Sequence, residues 1–277
     1  MQFYVILSRR FFKRPDDTVT PGLRPAGPAA SGRRFMIEIT NLTKNYGSFV
    51  AVNDISLTVD RGEIFGFLGP NGAGKSTTIR ILAGLSLPTS GIVRVARHDV
   101  TTHGVEAKAV MGYVPDRPYH YEKLTGRELL HFVADLYRKE WRECEPRALD
   151  LLRYLGLGDW IDARIENLSH GMKQKLVIVS ALVHDPEVLV IDEPMVGLDA
   201  LAQKQVRVML RNLANDGKAI FLTTHTLSVA EAVCDRVAIL NRGRIVASGS
   251  TAEVKKESAA LEDVFLELTY GEEPVSS

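Results

Sequence analysis

The chain has 277 residues, 45% of them hydrophobic and 25% charged, with 34 basic side chains against 34 acidic ones. That length fits one large domain or a domain with a subdomain, and the charge balance gives no global field directed at nucleic acid. Cys144 and Cys234 lie far apart without metal-like spacing, which reads as reduced thiols, and no apolar run approaches the ~20 residues needed to span a bilayer.

Residues 1–35 differ from the rest. Arg9, Arg10, Lys13, Arg14, Arg24, Arg33 and Arg34 face only Asp16 and Asp17, and prolines and glycines follow Arg14. The apolar patch Phe3–Leu7 is too short for a secretory core, and its basic residues come after it rather than before. Such a basic extension reads as a disordered tail, or as an arm for anionic lipid. Met36 opens an alternating strand, so translation starting at Met36 is a third reading.

Met36–Thr40 and Ala51–Val59 alternate apolar with polar residues, as strands joined by the turn Asn45-Tyr46-Gly47-Ser48. Ile64-Phe65-Gly66-Phe67-Leu68 reads as a buried strand. The stretch Gly69-Pro70-Asn71-Gly72-Ala73-Gly74-Lys75-Ser76-Thr77 follows and fits G-x-x-x-x-G-K-[ST] in full, with helical Thr78–Ala83 behind it. Glycines let backbone amides close around phosphate oxygens, and the helix start adds unpaired donors. Lys75 is placed to reach the β- and γ-phosphates and Ser76 to hold Mg²⁺. The motif therefore assigns binding of a nucleoside triphosphate.

Ile92–Ala96 and Val110–Val114 read as further short strands. From Leu124 the spacing turns helical. Thr125 and Glu128 form a capping box, followed by a face of Leu129, Leu130, Phe132, Val133, Leu136 and Tyr137. Glu145–Leu155 and Gly171–His184 are two more helical stretches. Strands return at Val188–Ile191, Ala219–Thr224, Val237–Leu240 and Ile245–Ala247, with helices Leu201–Asn215 and Leu227–Cys234 between them. The expected fold is α/β: a P-loop NTPase core with a mixed sheet, an antiparallel β part and an inserted α-helical subdomain at about 117–184.

Val188–Ile191 ends in Asp192-Glu193. A buried strand delivers both carboxylates to the sheet edge where phosphates bind, Asp192 for Mg²⁺ and Glu193 as general base.

In these motifs and their order, residues 36–270 resemble the ATP-binding subunit of an ABC transporter, nearest to the exporter type that handles drugs and polysaccharides. The resemblance rests further on Leu168-Ser169-His170-Gly171-Met172 at the signature position, on Gly197-Leu198-Asp199 as the D-loop, on His225 after a strand, and on Leu261-Glu262-Asp263-Val264-Phe265. It implies that Tyr46 stacks on adenine with Val52 beside it, and that Ser169, Gly171, Asp199 and His225 serve the γ-phosphate or its hydrolysis. By chemistry alone the plainer readings lead, Tyr46 as a surface residue, Ser169 as a helix cap and His225 as structural, with Asp199 open to a cap role, and the resemblance is what raises these four. The sequence departs from the family's usual Gln at Asp116, which can hold Mg²⁺ or its water but cannot donate an amide hydrogen bond. It departs again at His170, Met172, Val196 and Ala200.

The resemblance also implies partners: an integral membrane permease encoded separately, and a second nucleotide-binding chain, a homodimer in the simplest case. ATP is then clamped between the two chains at the cytoplasmic face of the membrane. Arg117-Pro118-Tyr119-His120-Tyr121 reads either as a docking segment for that permease or as a packed loop. The competing functions are a relative acting on DNA or ribosomes and a non-hydrolysing regulatory module. Against the first stand the absence of a second nucleotide domain and the neutral charge. Against the second stand Lys75, Asp192, Glu193 and His225 together.

Overall fold

The computed structural model describes residues 35–117, 121–255 and 261–270. The expectations for the basic extension, for a tail from 271, and for Pro118, Tyr119 and His120 in the docking segment lie outside the described residues. Among those described, two sheets form. In the first, strands β1 (Ile37–Tyr46), β2 (Phe49–Val59), β4 (Ser90–Val95) and β5 (His98–Asp99) run antiparallel in the order β2-β1-β4-β5. The second orders β10 (Arg244–Ser250), β9 (Arg236–Asn241), β3 (Ile64–Leu68), β8 (Ala219–Thr224), β7 (Val188–Asp192) and β6 (Met111–Val114) side by side. Only β10 is antiparallel to its neighbour there.

Sequence dictates this division. Every residue of β3, β7 and β8 is buried, as expected of central parallel strands covered on both faces. Phe65 and Phe67 pack on Phe221 of the neighbouring strand, with ring centroids 5.8 and 5.4 Å apart. One apolar core joins Ile37, Leu42 and Val52 of the first sheet to Phe65, Phe67 and Phe221 of the second. Ile79 and Leu82, on helix α1 (Lys75–Leu82), complete it.

Helices fill the connections: α2 (Gly104–Ala109), α3 (Gly126–Leu136), α4 (Trp141–Tyr154), α5 (His170–Leu182), α6 (Ala200–Asn215), α7 (Leu227–Val233), α8 (Thr251–Lys255) and α9 (Leu261–Tyr270). Between β6 and β7 the described residues are helical apart from loops and a single β-bridge, Thr125 to Arg164. The capping box of α3 is present: Thr125 accepts from the Glu128 amide at 3.2 Å, and Glu128 accepts from the Thr125 amide at 2.8 Å.

Two local readings are corrected. β1 runs on to Tyr46, leaving Gly47-Ser48 as the turn, because register shifts after Ile39 and Leu42 break the alternation without ending the strand. On α3 the buried side is Leu129, Leu130 and Ala134, while Phe132 and Leu136 are 40% and 64% exposed. Phe132 instead meets Tyr121 edge-on at 5.7 Å. The helices α2 and α8 and the strand β5 carry too few periods to be read from sequence, and the sequence reading did not include α9. In α9, Leu261, Val264 and Phe265 are buried at helical spacing.

Candidate active site

The site assembles at one edge of the parallel sheet. Register pairs Leu68 with Thr224 and Thr223 with Asp192, so the carboxyl ends of β3, β8 and β7 stand level. Gly69, His225 and Glu193 each begin the loop after one of those strands.

Gly69–Thr77 closes over the start of α1. Gly74 is the N-cap residue with φ 113°, and a Cβ there would lie 2.5 Å from the Ala51 carbonyl oxygen. Only glycine fits that backbone. No side chain caps α1 and no acidic residue sits in its first turn, so the leading amides remain available for an anion. Buried Lys75 folds back, donating from Nζ to the Gly69 carbonyl at 2.6 Å and the Pro70 carbonyl at 3.1 Å. Burial lowers its pKa, opposed by the charges of Glu193 and Asp192. Asn71, Gly72 and Ser76 are exposed around the loop, Pro70 and Thr77 are half-buried, and Ala73 is buried.

Asp192 is only 7% exposed, and the Thr223 hydroxyl donates to its Oδ1. Burial raises its pKa, and Asp116 and Glu193 push the same way. Thr223 and Lys75 oppose them. Asp116, just past β6, is close enough to add its charge to this cluster while its side chain stays half-exposed. Glu193 has φ 54°, and its Oε1 accepts from the His225 backbone amide at 3.0 Å and faces His225 Nδ1 at 2.7 Å. The predicted general base and the predicted histidine are therefore in direct contact. Lys75, Asp116, Asp192, Glu193 and His225 form one constellation.

Other predicted residues stand apart from it. Tyr46 is 49% exposed at the end of β1, with Lys44 Nζ 4.9 Å from its ring centroid. Val52 is fully buried behind Gly74, where it shapes the loop and offers a base no accessible surface. Ser169 and Asp199 both act as helix caps, accepting from the Met172 amide at 3.3 Å and the Ala202 amide at 2.7 Å. Gly171 follows in the first turn of α5. Among the described residues no hydrogen bond links Ser169, Gly171 or Asp199 to the Lys75–Glu193 cluster. Sequence reading missed Thr223. Its signal was present: Thr223 and Thr224 are polar residues ending an otherwise apolar strand, and both are buried.

Three carboxylates near one buried lysine leave negative charge that a cation would balance. No group of three His, Cys, Asp or Glu side chains able to hold a metal exists among the described residues. A cation here would need further ligands from water or a bound phosphate. No helix among the described residues is long and apolar enough to cross a membrane.

A glycine loop opening a helix, beside an acidic pair on a parallel strand, defines a P-loop nucleoside-triphosphate-binding fold. Comparison with known proteins narrows the class. The family model described as ABC transporter matches residues 52–196. Nod factor export ATP-binding protein I of Rhizobium meliloti is 40% identical over 213 residues, 77% of this chain and 64% of that protein. The linearmycin resistance ATP-binding protein of Bacillus subtilis is 36% identical over 219 residues, 79% of this chain and 70% of that one. A solved ATP-binding subunit of an ABC transporter superposes with TM-score 0.80 at 34% identity, covering 84% of this chain and 99% of its own. A dimeric bacterial ABC transporter cassette does so with TM-score 0.70 at 26% identity, covering 78% and 98%. The chain belongs to the ABC transporter family. It spans about two thirds of the length of each of the two export and resistance relatives named above.

Proposed function

We propose that this chain binds and hydrolyses ATP as one of a pair of identical chains, and that the cycle powers export through a separately encoded membrane permease. The observation that carries the reading is the level alignment of three strand ends, which puts Lys75, Asp192 and the Glu193–His225 pair at one sheet edge. The names of the export and drug-resistance relatives support the direction, and the dimeric cassette supports the pairing.

In this reading the amides of Gly72 to Thr77 and the Lys75 ammonium bind the triphosphate, and Tyr46 stacks on the base. Ser76, Asp192 and Asp116 hold Mg²⁺, which when bound offsets the charge of the phosphates. Glu193 takes a proton from the attacking water. His225, already hydrogen-bonded to Glu193, fixes that carboxylate and offers its other ring nitrogen to a terminal phosphate oxygen. Lys75 and Ser169 are carried by different elements, one opening α1 and the other capping α5. A two-fold pair lets each chain supply the group the other lacks, so Ser169, Gly171 and Asp199 serve the ATP held by the partner. Loss of the terminal phosphate removes those contacts and opens the pair. The chain then works at the cytoplasmic face of the membrane as a peripheral subunit.

Glu193→Gln keeps the shape of the side chain and removes the base. It should lower turnover by roughly 10²–10⁴-fold. With ATP and Mg²⁺ it should also accumulate as a dimer by size-exclusion chromatography with light scattering. A variant that stays monomeric with ATP bound contradicts the clamp.

A further inference from the structure

The loop from Glu193 to Asp199 touches a second functional element of the same chain. Its backbone is tightly turned: the Val196 amide bonds the Glu193 carbonyl, and the Leu198 amide bonds the Met195 carbonyl, both at 3.3 Å. Met195 and Leu198 are buried anchors, which leaves Val196 and Gly197 as the exposed tip. That tip rests on the first turn of α5. A Cβ on Gly197 would fall 2.5 Å from His170 Cδ2 and 2.6 Å from Nε2, so the imidazole lies directly against this glycine. From the other side, a Cβ on Gly171 would come within 3.0 Å of the Gly197 carbonyl oxygen. Gly197 also has φ +76°, a conformation that favours glycine. The start of α5 and the loop behind Glu193 are interlocked.

We propose that His170 is a positioning residue. Its ring seats Gly197 and so links the turn bearing Ser169 to the backbone that sets Glu193. This deepens the reading of Ser169 and Glu193 given above and rests on it. The physical route is short. Glu193 itself sits at φ 54°, held by its amide bond to the Thr223 carbonyl at 3.2 Å and by its carboxylate contacts with His225. A left-handed non-glycine residue persists only while its surroundings hold it there. Two turns separate it from Gly197, so freedom at the tip becomes freedom at the carboxylate. Conversely, a phosphate gripped at Ser169 stiffens the first turn of α5, and His170 passes that to the general base of its own chain.

The test uses the full chain and steady-state ATP turnover. H170G should lower kcat about tenfold while leaving KM for ATP within about twofold, because geometry at the base is lost and nucleotide contacts are kept. H170Q, whose planar amide can lie on Gly197, should restore most of the rate. G197A places a methyl where the ring lies, and the double variant H170G/G197A should be no slower than G197A alone, since both act through one contact. In the Glu193→Gln background, H170G should still form the ATP-bound dimer. A kcat for H170G within about twofold of the parent, additive losses, or a rise in KM equal to the fall in kcat overturns the proposal. A lowered melting temperature with kcat intact does so too. A parent chain without turnover, or Glu193→Gln failing to pair, refutes the functional reading itself and takes this one with it.

Discussion

Thr223 offers a sharp test of how the acidic site is held. Thr223→Val keeps the shape of a fully buried side chain and deletes the hydroxyl that donates to Asp192 Oδ1. Hydrogen bonds to charged groups are worth about 1.5–3 kcal/mol, and a domain of this size shifts its melting temperature by about 2–4 °C per kcal/mol. The expected loss is thus about 3–12 °C at neutral pH. The pH dependence fixes the cause. Burial raises the pKa of Asp192 above 3.8, so the folded chain holds that proton more tightly than the unfolded chain. Stability contributed by this group is therefore greatest at low pH and is lost as pH rises through the folded value. Removing Thr223, which favours the ionised form, steepens that loss. Differential scanning calorimetry at about pH 3.5, below the ordinary aspartate value, and at about pH 8 should show a larger deficit at the higher pH. Thr223→Ser, which keeps the donor, should not show it. An equal deficit at both pH values, or a Ser variant as damaged as the Val variant, refutes the idea that this bond supports an ionised Asp192.

Tyr46→Ala should weaken ATP binding by about 5- to 150-fold, the range expected for one base–aromatic stack, and Tyr46→Trp should preserve it. Equilibrium titration with a fluorescent nucleotide measures this, and an unchanged affinity removes the base from Tyr46. His184 stacks on Tyr137 at 3.5 Å, and its Nε2 lies 3.3 Å from the Met111 carbonyl oxygen. Burial lowers its pKa from 6.5 to about 4. The unfolded chain then binds the extra proton first, so stability should fall as pH drops from about 6.5 towards about 4. His184→Phe keeps the stack and should flatten that slope in urea denaturation. An imidazole that titrates near 6.5 by NMR would contradict it.

The local parts of the molecule were legible because each is written in contiguous residues. Ile64–Leu68 with the glycine loop, the strand before Asp192, and the Thr125–Glu128 box all form as their spacing demands. Reading failed where a feature needs a partner distant in sequence. β1 stays a strand through its register shifts because β2 and β4 pair with it on both sides. Phe132 falls outside the arc of α3 that the core covers, around Leu129, Leu130 and Ala134, and only its contact with Tyr121 needed the folded chain. Thr223 gained its meaning only from strand order, which also joined His225 to Glu193, since β8 lies between β3 and β7 and presents Thr223 to Asp192 and His225 to Glu193.

That strand order also bears on why one chain would not suffice. The sheet edge gathers Lys75, Asp192, Glu193 and His225, the groups proposed to bind the triphosphate and activate water, from strands fixed in a common core. Ser169 is not on that edge. It caps a helix in the insert between β6 and β7, and its hydroxyl is engaged by the Met172 amide of its own helix. Within the chain, α5 meets the catalytic edge through His170 and Gly197, behind Glu193, and not through Ser169. Among the described residues this helix start makes no hydrogen bond to its own glycine loop, and in the proposed function it serves a phosphate brought by another chain. On the proposed reading, the contact at Gly197 is then where the state of one ATP, gripped by α5, reaches the base that cleaves the other.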